Sequence, residues 1–206
     1  MLLSICIPVF NRPLELKELL ESILDQKDEN LEIILCEDYS PERNKIKITV
    51  EEIKTQFNKS NIKYIENNEN LGYDKNLRKT IKHASGEYVI LSGNDDIFKK
   101  NSLKIIRNKI INFSKPDVLI RSFESFNLKS KKNFYQHRYV SKDTIFVLNN
   151  KNLSKLYYRS VLVSGLVIKK TEALKHETDK VDGTLYYQNY IIGMISTYGK
   201  IIYIPD

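Results

Sequence analysis

The sequence predicts an α/β protein with a mainly parallel central sheet covered by helices on both faces. In the first half, short and continuous apolar runs alternate with amphipathic helical patterns, an order typical of parallel strands buried on both sides. Each of these runs stops abruptly in polar or acidic residues. The composition, 41% hydrophobic and 29% charged, is that of an ordinary globular protein that can build a core.

Four strands and three helices are predicted up to Leu91. The strands are Leu3 to Val9, Leu31 to Cys36, Ile62 to Ile65 and Tyr88 to Leu91. Pro13 opens a first helix, whose apolar residues Leu16, Leu19, Leu20, Ile23 and Leu24 recur at helical spacing. Ser40 is expected to cap a second helix that runs to about Phe57, and Asp74 to His83 forms the third.

The second half has a less regular pattern. Helices are expected at Ser102 to Phe113, Leu153 to Tyr158 and Leu185 to Tyr198, and strands at Asp117 to Phe123, Val161 to Ile168 and Ile201 to Ile204. The polar and aromatic residues 124–148 suggest a hairpin with its tip at residues 129–133. The sequence has no repeat or low-complexity linker, so we expect a single domain over residues 1–206. Near Phe98 the regular alternation of strands and helices gives way to a more irregular pattern.

Charge and length exclude several classes of protein. The net charge of +7 favours anionic partners, but the sequence lacks a zinc finger, an RNA-binding strand motif or a long basic helix, so nucleic acid is not expected. No stretch approaches the roughly 18 apolar residues of a membrane span, and the N-terminus lacks the features of a signal peptide. Cys6 and Cys36 lie in apolar runs, which predicts buried thiols in neighbouring strands.

The fourth apolar run ends in two adjacent acids, Asp95 and Asp96. Open α/β sheets bind ligands at the carboxyl ends of their strands, and paired carboxylates there can hold a divalent cation against substrate phosphates. A helix cap or a solvated turn would also explain the two acids. Further polar residues follow the other strands, at Asn11-Arg12, Glu37-Asp38 and Asn67 to Asn70. Their convergence at one edge of the sheet predicts a binding site.

Five segments, taken together, resemble family 2 inverting glycosyltransferases of the GT-A fold. They are Ser4 to Arg12, Ile33 to Ser40, Asn70 to Gly72, Ala84 to Tyr88 and Asn94 to Asp96. Their order and spacing agree with the family over about residues 1–100. Many members have an aspartate at the position of Gly93. A glycine at this position resembles the abequosyltransferase-like branch. The resemblance implies that about residues 1–98 bind a nucleotide sugar and that about residues 99–206 form the acceptor side.

The resemblance also implies a pocket for the donor's base and diphosphate. Asp38 would accept a hydrogen bond from the imide N–H of a uracil or thymine, a role that suits an ionised carboxylate, although capping of the next helix would also explain it. Pro8 and Phe10 would line the base pocket, or they are simply the end of a core strand. Asn11 and Arg12 would lie near the diphosphate, or they are ordinary loop residues.

The loop Asn70-Leu71-Gly72 would lie beside the nucleotide, where the missing side chain of Gly72 permits close approach. A plain turn is the alternative for Gly72. By the same resemblance, Asp95 lies near the donor ribose or sugar, and Asp96 ligates Mg²⁺ or Mn²⁺ between the two phosphates. The reaction would be a single displacement at the anomeric carbon, with a base that deprotonates the acceptor and with inversion of configuration.

The catalytic base is the least defined residue. Family members usually carry an acidic pair before a late helix, but this chain has Tyr186-Tyr187-Gln188-Asn189 there. Asp182 lies just upstream and is the candidate base, although a turn at Asp182-Gly183 would explain it equally well.

The leading functional hypothesis is a transferase that moves a sugar, most simply from a UDP-sugar, to a saccharide or lipid-linked acceptor in surface polysaccharide biosynthesis. The protein would be cytoplasmic, with peripheral association at the inner face of the membrane. The alternatives are an inactive nucleotide-sugar-binding subunit and a sugar-nucleotide pyrophosphorylase. The latter normally has a Gly-rich segment after its first strand, where this chain has Pro8-Val9-Phe10-Asn11-Arg12. A dinucleotide dehydrogenase is disfavoured for the same reason.

Overall fold

The computed structural model of the chain describes residues 1–58, 61–127, 130, 133–138, 140–146 and 158–205. The first half contains strands β1 (Leu3–Val9), β2 (Leu31–Glu37), β3 (Ile62–Glu66) and β4 (Tyr88–Leu91), and helices α1 (Pro13–Leu24), α2 (Arg43–Phe57) and α3 (Tyr73–His83). The second half contains helices α4 (Ser102–Asn112), α5 (Lys170–Lys175) and α6 (Tyr187–Ile195). Its strands are β5 (Val118–Arg121), β6 (Phe123–Phe126), β7 (Asn133–His137), β8 (Thr144–Phe146), β9 (Leu166–Lys169) and β10 (Ile201–Ile204).

The central sheet has the strand order β3-β2-β1-β4-β9-β5-β10-β8. The four strands of the first half pair in parallel, as do β5 and β10. Strand β9 runs antiparallel between β4 and β5, and β8 runs antiparallel beside β10. The mainly parallel sheet is therefore confirmed. Strand β9 corresponds to the strand predicted at Val161 to Ile168, but its antiparallel direction was not predicted. Strands from both sides of Phe98 share this sheet. The division of the chain into a donor half and an acceptor half stays a prediction.

Two layers of helices bury the two faces of the sheet. Helices α1, α2 and α4 pack on one face, and their apolar residues form a cluster with Leu3, Ile5 and Ile7 of β1. Helices α3, α5 and α6 cover the other face, in a second cluster that contains Cys6. Successive strand residues point to opposite faces, so a continuous apolar run supplies both clusters. This explains why the strands of the first half do not alternate between apolar and polar residues.

Several predicted boundaries differ from the structure. The cap predicted at Ser40 is wrong, because α2 begins at Arg43 and the N–H of Ser40 instead donates to Glu37 Oε1 at 2.7 Å. The strand predicted at Asp117 to Phe123 is interrupted at Ser122 and becomes β5 and β6. The late helix and the strand before it are both shorter than predicted. The predicted helix at 153–157 and most of the hairpin tip lie outside the described residues, but β6 and β7 do pair as a hairpin.

One of the five resembling segments has a structural role in the sheet. A Cβ at Gly86 would lie 2.5 Å from Ser4 Oγ and 2.8 Å from the backbone nitrogen of Ser4. The N–H of Gly86 also donates to Ser4 Oγ at 2.8 Å and to Glu32 Oε1 at 3.1 Å. Only glycine permits this approach, which sets β4 beside β1.

Both cysteines are free and buried on the neighbouring strands β1 and β2, as the sequence predicts. Burial raises the pKa of the Cys6 thiol, so it packs as a small apolar side chain. Within the described part of the chain, no helix combines the length and the apolar character needed to cross a membrane.

Candidate active site

The predicted site lies at the point where the strand order reverses. From β1 the chain adds β2 and β3 on one side and then returns to add β4 on the other. Such a reversal leaves a crevice at the carboxyl ends of the two central strands. Asn11 and Arg12 follow β1 there, and Asp95 and Asp96 follow β4.

The tip of β1 is held in an uncommon backbone conformation. Asn11 and Arg12 have φ angles of 55° and 61°, a left-handed region that non-glycine residues seldom adopt. The nearly buried Asn94 donates through Nδ2 to the carbonyl oxygens of Phe10 at 3.3 Å and Asn11 at 3.1 Å, which fastens this turn to the end of β4. Arg12 forms an ion pair with Asp95. The structure thus brings together Asn11, Arg12 and Asp95, and it adds Asn94, which the sequence did not single out as a site residue.

Asp96 lies deeper than Asp95 and is held by three donors. Ser92 Oγ at 3.2 Å, the N–H of Gly93 at 2.7 Å and Ser164 Oγ at 2.7 Å all donate to Asp96 Oδ2. Burial and the neighbouring charge of Asp95 raise the pKa of the Asp96 carboxyl, although the three hydrogen bonds oppose this rise. Ser164 precedes the antiparallel strand β9, and its contact with Asp96 could not be predicted without the topology of the sheet.

The structure also explains the glycine that precedes the acid pair. A Cβ at Gly93 would lie 3.0 Å from Asp95 Oδ1 and 3.4 Å from Asp96 Oδ2. The two carboxylates therefore fold back over Gly93, and a third acid at that position would crowd them.

The donor set of the acid pair fits a metal ion that shares its coordination with a substrate. Among the described residues, no group of three or more His, Cys, Asp or Glu side chains could hold a metal by itself. Mg²⁺ is commonly held by one or two carboxylates together with substrate phosphates and water. Asp95 and Asp96 match this arrangement and do not match an all-protein metal site.

Asp38 is buried at the end of β2 and organises the loop that follows β3. Its Oδ1 accepts hydrogen bonds from the N–H of Leu71 and from Asn67 Nδ2, both at 2.8 Å, and its Oδ2 accepts one from the N–H of Gly72 at 2.9 Å. Asp38 does not cap the next helix, because no side chain caps the N-terminus of α2, which begins at Arg43. The carboxylate of Asp38 therefore fixes the loop that the resemblance places beside the nucleotide.

Gly72 is required by its backbone conformation and not by close packing. It has φ 78° and ψ 162°, a region that is essentially restricted to glycine. A Cβ there would meet no atom within 4 Å, so the space beside Gly72 is open. Asn70 Oδ1 accepts the same N–H at 2.9 Å and shares it with Asp38.

Pro8 is the last residue but one of β1, and Phe10 follows the strand directly. Pro8 is partly buried, whereas Phe10 is 44% exposed. An aromatic ring left exposed at a strand tip is available to a planar ligand.

The candidate base does not join this group. Both carboxylate oxygens of Asp182 accept from the guanidinium of Arg78 on α3, at 2.7 Å and 2.8 Å. A carboxylate held at both oxygens by one guanidinium is poorly placed to take a proton from a substrate. Gln188, near the position of the missing acidic pair, is buried, accepts from the Tyr73 hydroxyl at 3.2 Å and donates to the carbonyl oxygen of Val161 at 2.6 Å.

A cavity of about 850 Å³ opens beside the acid pair, a volume in the usual range for small-molecule sites. One wall carries Asp95, Asp96 and Ser164, and the other is formed by the β6–β7 hairpin. Asp182 does not line this cavity, and neither do the residues predicted to bind the donor's base. The residues predicted to bind the base therefore lie at the tips of β1 and β2, apart from the cavity that Asp95 and Asp96 line.

A comparison with protein-family models identifies the protein class. Residues 4–165 match the model of glycosyl transferase family 2. The chain belongs to this family. The match extends from β1 to the turn before β9, so it includes both the acid pair and the hairpin wall of the cavity.

Relatives and solved structures agree with this assignment. The chain is 28% identical over 193 residues to abequosyltransferase RfbV of Salmonella typhimurium, covering 93% of this chain and 57% of that protein. It is 31% identical to glycosyltransferase GlyG of Streptococcus pneumoniae, covering 65% of this chain and 42% of GlyG. The crystal structure of Staphylococcus aureus TarS 1–349 with UDP-GlcNAc superposes with a TM-score of 0.78 at 19% identity, covering all of this chain and 56% of the TarS chain.

A second solved structure is the mannosyltransferase PcManGT of Pyrobaculum calidifontis with GDP-Man and Mn²⁺. Its TM-score is 0.69 at 14% identity, covering 99% of this chain and 55% of that one. These likenesses confirm the predicted GT-A fold, and the family match together with the similarity to RfbV confirms the predicted family and branch. The chain spans less than two thirds of the length of these relatives.

Proposed function

We propose that this chain transfers a sugar from a nucleotide-diphosphate donor to a hydroxyl group of a saccharide or lipid-linked acceptor, in the synthesis of a surface polysaccharide. The observation that carries the proposal is the cluster of Arg12, Asp95 and Asp96 at the reversal of the strand order, in a chain that belongs to glycosyl transferase family 2. A basic residue beside paired acids suits a diphosphate and its counter-ion.

The donor's base binds at the tips of β1 and β2 in this proposal. Phe10 supplies an exposed ring and Pro8 the floor beneath it. An ionised carboxylate has about four acceptor sites, and three donors use part of this capacity in Asp38. The remaining capacity suits the imide N–H of uracil, and the TarS structures with UDP and UDP-GlcNAc support a UDP-sugar. Asn70 and Gly72 form the open edge over which the nucleotide lies.

The diphosphate lies against Asn11, Arg12 and the acid pair. Asp96 ligates Mg²⁺ or Mn²⁺, with Asp95 toward the ribose or sugar, and the ion supplies Lewis-acid stabilisation of the departing diphosphate. Arg12 reaches the same region through its pair with Asp95 and adds a second positive charge. The buried Oδ1 of Asn11, for which the described residues offer no partner, needs a donor such as a donor-sugar hydroxyl or a water molecule.

The reaction is a single displacement. The acceptor oxygen attacks the anomeric carbon from the face opposite the nucleotide, the bond from that carbon to the diphosphate oxygen breaks, and configuration inverts. A side chain of the protein takes the acceptor's proton. We place the protein in the cytoplasm with peripheral membrane contact, since its net charge of +7 suits an anionic membrane surface.

A donor-binding protein without transferase activity is the second candidate. The observation that favours it is that both carboxylate oxygens of Asp182, the candidate base, are held by Arg78.

A panel of UDP-, dTDP-, CDP- and GDP-sugars tests both candidates. Release of nucleoside diphosphate is measured with Mn²⁺ and with Mg²⁺, with and without saccharide and lipid-diphosphate acceptors. We expect turnover with at least one donor, at least about 100-fold lower in Asp96→Ala. Glu52→Ala, on the exposed side of α2, is the matched control and should behave as wild type. Nucleotide binding without turnover would support the second candidate, and full activity in Asp96→Ala would refute the metal role.

A further inference from the structure

We propose that Glu124 is the general base that deprotonates the acceptor, and that the cavity beside the acid pair holds the acceptor saccharide. This inference rests on the proposed transferase function. It assigns the role that Asp182 was expected to fill to a residue on the β6–β7 hairpin, 58 positions earlier in the chain.

Glu124 lies where a general base is needed. The cavity of about 850 Å³ has three acids among its lining residues, namely Asp95, Asp96 and Glu124. Asp95 pairs with Arg12, and Asp96 is the proposed metal ligand. Glu124 is the remaining acid, and it lies on the hairpin wall while the other two lie at the end of β4. A base must stand across the anomeric carbon from the leaving diphosphate, so the wall facing the acid pair is where it is needed.

The face of the hairpin around Glu124 is suited to a saccharide. Glu124 lies directly opposite Gln136 in the antiparallel pair, so their side chains share one face. Arg138 is two residues beyond Gln136 and belongs to the same side. Its Nε donates to the carbonyl oxygen of Pro205 at 3.2 Å, which ties the hairpin to the end of β10. Carboxylate, amide and guanidinium groups together recognise the hydroxyls of a sugar.

The pairing of Glu124 differs from that of Asp182. Glu124 Oε1 is paired with Lys99, whose side chain is 66% exposed, and a flexible exposed lysine can shift aside when a ligand enters. Arg78, in contrast, holds both oxygens of Asp182, and its side chain is only 11% exposed. The acceptor can therefore displace Lys99 from Glu124 more readily than Arg78 from Asp182.

The proposed step conserves atoms and charge. The carboxylate of Glu124 takes the proton of the acceptor hydroxyl as the acceptor oxygen forms its bond to the anomeric carbon. The bond between that carbon and the diphosphate oxygen breaks, and its electron pair leaves with the nucleoside diphosphate. Glu124 then releases its proton to water, and no oxidant or reductant is needed.

The test compares Glu124→Gln with Asp182→Asn in the full chain, with the donor and acceptor found in the panel. Loss of a general base lowers rates by about 10²–10⁴-fold, so we expect kcat of Glu124→Gln to fall by that factor while the affinity for UDP with Mn²⁺, measured by calorimetry, stays unchanged. Asp182→Asn should keep its kcat within about threefold of wild type, because removal of a group outside the chemistry leaves the barrier almost unchanged.

The pH profile separates catalysis from structure. A base must be ionised, so kcat/KM of the wild type should decline as the solution is acidified, and the residual activity of Glu124→Gln should lose that decline. Glu124→Asp keeps a carboxylate on a shorter side chain and should recover part of the rate. Thermal melting of each variant checks the fold.

A low kcat in Asp182→Asn together with a normal kcat in Glu124→Gln would overturn the assignment. Equal losses in Glu124→Gln and Glu124→Asp with an unchanged pH profile would also overturn it, since they indicate a structural role. Absence of transfer by the wild type with every donor would refute the proposed function itself, and the assignment of Glu124 with it.

Discussion

The proposed donor side and the proposed acceptor side of this molecule, called the donor side and the acceptor side below, are built in different ways. The donor side takes its polar groups from the ends of adjacent parallel strands, within a few residues of Asn11, Asp38 and Asp95. The acceptor side combines the hairpin with Ser164, which precedes an antiparallel strand inserted between β4 and β5. In a regular parallel sheet, right-handed crossovers bring the carboxyl ends of the strands to one edge. No comparable rule says which residues an inserted antiparallel strand and a hairpin bring together. The sequence therefore predicts which residues come together on the donor side, but it does not predict this for the acceptor side.

The largest effect is expected at the border between the two sides, in Asp96→Asn. This change removes the charge of the proposed metal ligand, and transfer should fall by about 100-fold or more. The stability of the protein, in contrast, should increase in this variant. Because burial raises the pKa of Asp96, ionisation opposes folding as the pH rises from the ordinary carboxyl range to the raised value. With EDTA present, the variant should melt at a higher temperature than wild type at pH 7.

The pH dependence sharpens this prediction. Below the ordinary carboxyl range, Asp96 is protonated in both the folded and the unfolded state, so the difference in melting temperature should shrink toward zero on acidification. Addition of UDP and Mn²⁺ at pH 7 should raise the melting temperature of wild type more than that of the variant. A variant that melts below wild type at pH 7 in EDTA would contradict the assigned cause of the pKa shift.

On the donor side, Asp38→Ala should have the next largest effect. It removes the acceptor for the N–H groups of Leu71 and Gly72 and for Asn67 Nδ2, and we expect the free energy of unfolding in urea to fall by about 3 kcal/mol. Asp38→Asn is the matched variant, since one amide oxygen can still accept from Leu71 and Asn67, and Gly72 keeps Asn70.

Asp38→Asn should therefore retain most of the stability, yet bind UDP at least about tenfold more weakly, because an amide N–H₂ would face the imide N–H. Calorimetric titration with UDP measures this loss. If Asp38→Asn bound UDP as tightly as wild type, Asp38 would act only on the loop and the base contact would be refuted.

The sequence was sufficient for the positions of the first four strands along the chain, for the acid pair after the fourth strand, and for the convergence of the polar strand ends, Arg12 and Asp95 among them, at one edge of the sheet. These features follow from local patterns and from the single handedness of parallel crossovers. It was not sufficient for Ser164 or Glu124, because their positions depend on the antiparallel pairing of β9 and on the packing of the hairpin. For Asp182 the structure adds a contact that the sequence does not show. Its place in the sequence suggested a catalytic base. Its partner Arg78 lies 104 residues away, so the ion pair could not be predicted from the sequence.

Asp74 tests how firmly α3 is joined to the late segment that contains α6. It lies buried in the first turn of α3 and accepts the N–H groups of Leu185 at 2.8 Å and Tyr187 at 3.0 Å, just before and within α6. Asp74→Ala leaves both donors unsatisfied and should cost about 2 kcal/mol in urea unfolding. Hydrogen exchange should accelerate at residues 185–187.

Thr184→Ala is the control for Asp74→Ala. Thr184 bonds only within its own segment in the contacts described, to Val181 and Tyr186, so its loss should be smaller and should leave α3 unaffected. Equal destabilisation by the two variants would mean that α3 does not hold the late segment in place.

The smallest effect is expected for the stability of Asp182→Asn, the variant that also serves as the catalytic comparison. The ion pair with Arg78 is bidentate but partly exposed at Asp182, with 29% of that side chain accessible, and such pairs contribute about 1 kcal/mol. Arg78 keeps the Thr178 carbonyl oxygen and stays near Glu177, which limits the loss. Glu51→Gln, in the more exposed pair with Lys54, should change the unfolding free energy by less than about 0.5 kcal/mol. A loss near 1 kcal/mol with normal transfer would show that Asp182 holds the late segment to α3. Unchanged stability with lost transfer would support Asp182 as the catalytic base.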